Sequence, residues 1–163
     1  MTRFAFVVAA LLAGCAGPEE EGDHFIPAPS RESFPRAADV LGSHCGSLDC
    51  HGSVARNLRI YSLNGLRIGE VTGTHSTTDE EYAATYQSVV LLEPEKFGQV
   101  IVEGGRGPER LTIVRKGRGT EHHKGGAQAP AGSDADRCFL SWLAQAVDET
   151  ACGNAAEVPT PEF

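Results

Sequence analysis

Two cysteines and a histidine stand close together in the segment His44-Cys45-Gly46-Ser47-Leu48-Asp49-Cys50-His51-Gly52. A histidine directly after a cysteine, with a second cysteine just upstream, is the attachment pattern of a c-type haem, normally C-x-x-C-H. Each thiol forms a thioether with one vinyl group of the porphyrin, and the adjacent histidine then reaches the iron. The pattern predicts one haem c, with thioethers from Cys45 and Cys50 and with His51 as the proximal iron ligand.

The gap between these cysteines is four residues, where two are usual. A few multihaem cytochromes resemble this chain in tolerating C-x4-C-H, so the pattern still favours haem. Two other interpretations stay open. Cys45 and Cys50 could form a disulfide in a haem-free lipoprotein with a binding or structural role, since exported chains commonly pair their cysteines. They could also join His51 and either His122 or His123 in a zinc or copper site.

The first fifteen residues have the features of a lipoprotein export signal. Arg3 provides a positive start, residues 4–12 are almost entirely apolar, and Leu12-Ala13-Gly14-Cys15 resembles the bacterial lipobox. The apolar run is too short for a transmembrane anchor, which needs roughly 20 residues. We expect cleavage before Cys15 and attachment of a lipid to its thiol. By resemblance to two-membrane bacteria, Ala16 rather than Asp after the cysteine indicates the outer membrane, with the protein facing the periplasm.

Export also narrows the choice of disulfide and iron ligand. Setting Cys15 aside leaves four cysteines, and we expect Cys138 and Cys152, which bracket a predicted helix, to form a structural disulfide. The only methionine is Met1, which leaves with the signal, so a sixth iron ligand is most simply a histidine. The remaining histidines are His24, His44, His75, His122 and His123.

The hydrophobic pattern predicts a mainly α fold with three helices. The first spans about residues 31–44, with Ser30 as its N-cap. The second begins with a Thr78–Glu81 capping box, continues to about Leu92 and is stopped by Pro94. The third follows Ser133 and buries an i, i+3, i+4 set of apolar residues: Phe139, Trp142, Leu143, Ala146 and Val147.

The rest of the chain reads as connections around one small domain. Residues 57–68 alternate in polarity around Asn64-Gly65, which predicts a short hairpin, and residues 104–132 form a long Gly-rich loop. The predicted organisation is a signal peptide over 1–14 and a lipidated, flexible tether over 15–31. A domain over 32–158 and a frayed tail over 159–163 follow.

Several short motifs follow one another in a fixed order: Cys50-His51-Gly52, Leu58-Arg59-Ile60, Pro108-Glu109-Arg110-Leu111, Lys116, His123-Lys124-Gly125-Gly126 and Trp142-Leu143. This order resembles a family of cytochrome c-like domains in exported bacterial proteins, which has C-H-G, L-R-L, P-x-x-S/R-L, a late H-x-G-G and a final helix with a W-I/L pair. The resemblance covers roughly residues 33–147. It implies a cytochrome c-like fold with His123 as the distal iron ligand and His122 as the fallback.

Charge and motif content exclude other classes of function. The chain has 22 acidic against 14 basic residues, a formal net charge of −8, which argues against nucleic-acid binding and against electrostatic attraction to anionic lipid. The sequence lacks a nucleophile elbow, a phosphate-binding glycine loop and H-E-x-x-H, so we expect no enzymatic activity. The expectation is a membrane-anchored haem protein that exchanges electrons with a redox partner outside the cytoplasm.

Overall fold

The computed structural model describes residues 25–63, 65–69 and 76–156. Cys15, the signal peptide, His24, His75 and the tail lie outside them. The helices are α1 (Phe34–Cys45), α2 (Asp79–Val90), α3 (Pro94–Val102), a 3-10 helix (Pro108–Arg110), α4 (Thr112–Arg118), α5 (Asp134–Leu143) and α6 (Glu149–Ala156). No strand forms within the described ranges, which confirms the prediction of a mainly α fold.

Helix α1 carries Cys45 at its C-terminal end. It begins at Phe34, later than predicted, because Pro35 fits only in the first turn, where its missing N–H is not needed. Ser33, not Ser30, is the N-cap residue, and the Ser30 hydroxyl accepts a hydrogen bond from the Ser33 N–H at 3.3 Å. The helix continues to Cys45, so this thiol is positioned by a rigid element.

Helix α2 starts with the predicted capping box. The Thr78 hydroxyl accepts from the Glu81 N–H at 3.3 Å, and the Glu81 carboxylate accepts from the Thr78 N–H at 2.9 Å. The buried Glu81 carboxylate also accepts from the Arg67 guanidinium at 2.7 Å and from the Ile68 N–H at 3.0 Å. A single carboxylate thus caps α2 and holds residues 65–69 against it.

The predicted hairpin over residues 57–68 does not form. One isolated bridge pairs Tyr61 with Leu66. The neighbouring N–H groups have other acceptors, since Ile60 donates to the His51 carbonyl at 2.9 Å and Tyr61 donates to the Thr85 hydroxyl at 3.0 Å. This segment is therefore hydrogen-bonded to α2 and to His51 instead of to a partner strand.

Helix α2 ends at Val90, ahead of Pro94 as predicted, and Pro94 also occupies the first turn of α3, a position that proline favours. Helix α3 itself was not predicted, and two further expectations about helices were wrong. The predicted loop over 104–132 contains the 3-10 helix and α4. The last predicted helix ends at Leu143, Ala146 is exposed, and a separate helix, α6, follows.

A disulfide joins the last two helices. Cys138 lies in α5 and Cys152 in α6, with their Cα atoms 4.7 Å apart, so the bridge links two helices instead of bracketing one. It belongs to a small apolar cluster between α1, α5 and α6 that is separate from the main core. The bridge therefore stabilises the packing of α6 against α5.

The main core is built around Trp142, which is fully buried. Its indole packs against four aromatic rings, those of Phe34, Tyr86, Phe97 and Phe139. The indole N–H donates to the Ser30 carbonyl at 2.8 Å, and the Tyr86 hydroxyl donates to the Pro29 carbonyl at 2.7 Å. The last residues of the segment assigned to the tether are thereby hydrogen-bonded to the core.

Candidate functional site

The widened cysteine spacing is accommodated by a compact turn after α1. The Ser47 carbonyl accepts two hydrogen bonds, from the Cys50 N–H at 2.9 Å and from the Gly52 N–H at 2.8 Å, and the Cys45 carbonyl accepts from the His51 N–H at 3.0 Å. The extra residues are taken up in this turn. Both Cys45 and Cys50 are free thiols.

Glycine at position 52 is required by close packing. A Cβ atom there would lie 2.1 Å from the Gly46 carbonyl oxygen, which is far inside van der Waals contact. The turn is further fixed by Arg56, whose guanidinium donates to the carbonyls of Cys50 at 3.1 Å and Asp49 at 3.3 Å. The backbone path therefore requires the glycine of the C-H-G sequence.

The Cys45 thiol is held in its protonated form. Burial raises its pKa to about 11, with a smaller contribution from the nearby Cys50. Cys45 lines a mainly apolar cavity, and Cys50 is half-buried on the same turn. Cys45 and Cys50 therefore lie on the same turn, and Cys45 is part of the cavity wall.

His51 presents one ring nitrogen to the cavity. Its Nδ1 lies 3.0 Å from the Leu58 carbonyl oxygen, and because a carbonyl only accepts, the neutral imidazole carries its proton on Nδ1. The lone pair is then on Nε2. Burial lowers the pKa of His51, and the hydrogen bond to Leu58 partly opposes this shift. A neutral imidazole with a fixed tautomer is the form that binds a metal ion.

His123 faces His51 across the cavity. The centroids of the two rings are 5.9 Å apart and the ring planes are 19° from parallel. The His123 Nδ1 lies 3.4 Å from the Gly126 carbonyl oxygen, a longer version of the contact that His51 makes. A Cβ on Gly125 would lie 2.9 Å from the His123 ring, so glycine is needed beside it.

A network of charged side chains holds the backbone that leads to His123. The Glu121 carboxylate pairs with the Arg115 guanidinium at 2.8 Å and with the Lys116 ammonium at 3.0 Å. The same ammonium donates to the His122 carbonyl at 3.3 Å. Arg115 also donates to the Arg110 carbonyl at 2.7 Å. The network therefore connects α4 to the residues directly before His123.

The space between the two histidines is a cavity of about 360 Å³. Its walls include apolar side chains from four parts of the chain, which are Leu41, Leu58, Leu92 and Ile113. A volume and an apolar lining of this kind are typical of sites for organic cofactors. The cavity thus combines a mainly apolar lining with two histidines in its wall.

The other histidines do not line this cavity, as far as the structure describes them. His44 faces α6, where its Nε2 contacts the Ala155 carbonyl oxygen at 2.9 Å. His122 is exposed, and only its backbone carbonyl joins the network around Lys116. Of the adjacent pair in the predicted loop, the structure places His123 in the cavity wall.

The spacing of the two histidines is compatible with a metal ion or haem iron between them. Two imidazole–metal bonds of about 2 Å each, plus roughly 1 Å from each nitrogen to its ring centre, span about 6 Å, close to the 5.9 Å between the two ring centroids. Among residues 25–63, 65–69 and 76–156, no three His, Cys, Asp or Glu side chains are grouped to hold a metal ion. The zinc or copper set considered from the sequence is therefore not assembled there.

Several contributors to this geometry carry no signal in the sequence. The Leu58 and Gly126 carbonyls orient the imidazoles, yet backbone acceptors leave no trace in residue type. The ion pairs of Glu121 join α4 to the residues that follow it, so the i, i+3 and i, i+4 spacing of a helix does not predict them. Only the glycines beside His51 and His123 could have been interpreted in advance as signs of close packing.

Comparisons with protein-family models, with curated proteins and with solved structures find no match to this chain. In the part of the chain that the structure describes, no helix has both the length and the apolar character to span a membrane.

Proposed function

We propose that this protein is a lipid-anchored c-type haem protein that transfers single electrons outside the cytoplasm. Cys45 and Cys50 would form the thioethers, His51 would be the proximal iron ligand and His123 the distal one. Cys15 would carry the lipid and hold the domain at the outer membrane, facing the periplasm. The protein would transform no substrate and would exchange electrons with a redox partner protein.

One observation carries the proposal: His51 and His123 face each other across an apolar cavity whose wall includes Cys45. Each histidine has its Nδ1 near a backbone carbonyl, so both Nε2 atoms are left for a ligand between them. The cysteine pattern and the ring separation are independent of each other, because the first is local in sequence and the second depends on the fold.

The residues of the chain have distinct parts in this arrangement. The Leu58 carbonyl holds the His51 tautomer and raises the basicity of its Nε2. The apolar walls, including Leu41 and Ile113, exclude water and favour the less charged oxidation state. A haem iron would supply the one-electron couple. Because neither ligand is a methionine, the potential should be lower than that of a Met/His haem.

The direct test is intact mass and visible absorption of the mature protein, produced in cells with haem-attachment machinery. The proposal expects a Soret band and a mass gain of one haem that survives denaturation. The variant with both Cys45→Ser and Cys50→Ser serves as the control, because it keeps the histidines but can form no thioether. This variant should show no gain in mass that survives denaturation.

A mass without haem, no Soret band and two internal disulfides would instead establish the haem-free lipoprotein considered from the sequence. The single variants Cys45→Ser and Cys50→Ser then assign each attachment separately. Each should retain haem through one thioether, because the two sulfurs bond to different vinyl groups.

A further inference from the structure

Two depressions on the surface share a wall and form one continuous face. The first is the cavity between His51 and His123. The second is a groove of about 540 Å³ between residues 57–61 and the C-terminal half of α2. Asn57 and Leu92 line both. We call the combined surface the Arg59 face, after the cation that lines the groove.

The charge of this face is opposite to that of the chain. The protein has a formal net charge of −8, yet Arg56, Arg59 and Lys116 line the two depressions, and no Asp or Glu does so among the described residues. Lys116 is paired with Glu121. The guanidinium groups of Arg56 and Arg59 donate only to backbone carbonyls and form no ion pair with a described carboxylate. Two guanidinium charges are therefore uncompensated here.

Exposed apolar side chains accompany these charges. Leu91 lines the groove and is 69% exposed, and Leu92 on the shared wall is 37% exposed. Val54, next to the cavity-lining Ala55, is 66% exposed. Apolar side chains surrounded by cations provide the composition of a protein interface, in which apolar contact gives affinity and charge gives orientation.

We propose that the Arg59 face is the docking surface for a redox partner protein with an acidic patch. The inference rests on the proposed function, because it places the partner against the cavity between His51 and His123. The remaining surface of this acidic chain repels such a partner, whereas Arg56 and Arg59 attract it. Electrostatic steering would therefore orient the partner toward this face before contact.

An anionic membrane fits this face less well than a protein. The charges of two guanidinium groups are felt over a Debye length of about 8–10 Å. A bilayer extends well beyond that range and would also meet the acidic remainder of the chain. A protein patch of limited size meets Arg56, Arg59 and their apolar neighbours alone, so the partner is a protein with clustered carboxylates.

The test uses poly-L-glutamate as the acidic probe and isotope-labelled mature protein, with and without haem. In NMR titrations at low salt we expect shifts concentrated at Asn57, Arg59 and Leu92, which disappear at high salt. Arg59→Glu should weaken the binding about tenfold, since it replaces an attraction by a repulsion. The Arg59 guanidinium makes one hydrogen bond, to the Arg56 carbonyl, and the Arg59 N–H that donates to Ser88 is kept in the variant, so this variant should remain folded.

Arg31→Glu is the matched control, because it makes the same charge change in another depression, on the side of α2 that Asp79 and Tyr82 line. It should bind the probe as wild type does. Equal weakening by both variants, or shifts spread evenly over the surface, would overturn the proposal. Anionic vesicles that produce the same localised shifts would overturn it in favour of a membrane site.

A second measurement uses the haem-loaded protein and hexacyanoferrate(III), a small anionic oxidant. The oxidation rate should fall as ionic strength rises, although the net charge of −8 alone predicts the opposite. A rate that rises with ionic strength would contradict the proposal. If the purified protein carries no haem, the proposed function is wrong. The poly-L-glutamate titration then still decides whether the Arg59 face binds acidic chains.

Discussion

His51 and His123 lie on separate loops, yet their imidazole rings are 5.9 Å apart and within 19° of parallel. Each ring has Nδ1 next to a carbonyl of its own loop, at Leu58 and at Gly126. The contact at Leu58 is 3.0 Å long and the one at Gly126 is 3.4 Å. His51 is therefore the more firmly oriented of the two imidazoles, and variants that loosen the site should act first on His123.

Glu121→Gln should weaken the hold on His123. The carboxylate is paired with Lys116 and Arg115, which keep the pKa of Glu121 below its usual range. In wild type the pairing is present above that lowered pKa and is lost as the pH falls through it. In the haem-loaded variant the pairing is absent at any pH. We expect the low-spin spectrum to convert to high-spin at a higher pH than in wild type, measured by acid titration.

Glu149→Gln is the control for this prediction. It removes an exposed ion pair with Arg36, between α6 and α1, away from the cavity. Its acid titration should follow that of wild type. Identical titrations for Glu121→Gln and wild type would show that the ion pairs do not position His123.

Cys45 should react slowly with alkylating reagents in the haem-free protein. Because its pKa is raised to about 11, only about one thiol in a thousand is ionised at about pH 8, and the thiolate is the reactive form. Compared with the same residue in urea, where its pKa is ordinary, the rate should be about a hundredfold lower. The measurement is iodoacetamide labelling in the Cys50→Ser background, followed by mass spectrometry. Equal rates in buffer and in urea would contradict the raised pKa of Cys45.

The haem-free protein should lose stability through His51 on mild acidification. Burial lowers the pKa of His51 in the folded state, so the unfolded chain binds a proton first as the pH falls below about 6.5. Stability therefore decreases from there until the pH reaches the folded-state pKa. His51→Asn should remove this contribution, and the exposed His122→Asn should retain it, in urea unfolding at about pH 7 and about pH 5.5. The same pH dependence in all three proteins would be inconsistent with the lowered pKa.

Removing the disulfide should destabilise the fold and spare the haem site. Cys138 and Cys152 close a loop with a sequence separation of 14, for which the chain-entropy model gives about 3 kcal/mol. The double variant Cys138→Ala, Cys152→Ala should have an unfolding free energy about 3 kcal/mol lower, and its urea unfolding midpoint should fall accordingly. Its visible spectrum should be unchanged, because the bridge belongs to a cluster apart from the cavity. An unchanged unfolding midpoint would contradict the stabilising role.

Features fixed by short-range chemistry could be predicted from the sequence. The Thr78–Glu81 capping box depends on residues three apart, and the structure contains it. The hairpin prediction failed because Ile60 and Tyr61 donate to His51 and Thr85, which are distant in sequence. Helix α3 was not predicted from the sequence, since a proline can mark both the end of one helix and the first turn of the next.

In the candidate site, too, some features could be predicted from the sequence and others could not. The cysteine pattern singles out His51 locally, whereas the position of His123 opposite it depends on α4 and on the ion pairs of Glu121. These pairs form between a helix and the loop that follows it, without a periodic spacing. The carbonyls of Leu58 and Gly126 cannot be predicted from residue type, because every residue has a backbone carbonyl. The ligands could thus be named in advance, but not the groups that orient them.

The central claim is that His51 and His123 together bind the iron, and the low-spin spectrum of the haem-loaded protein measures it most directly. The account predicts that His123→Ala converts the ferric protein to a high-spin spectrum, which added imidazole restores to low-spin. His122→Ala, an exposed neighbour, should leave the spectrum as in wild type. A low-spin spectrum that survives His123→Ala, or is lost in His122→Ala, would contradict the account.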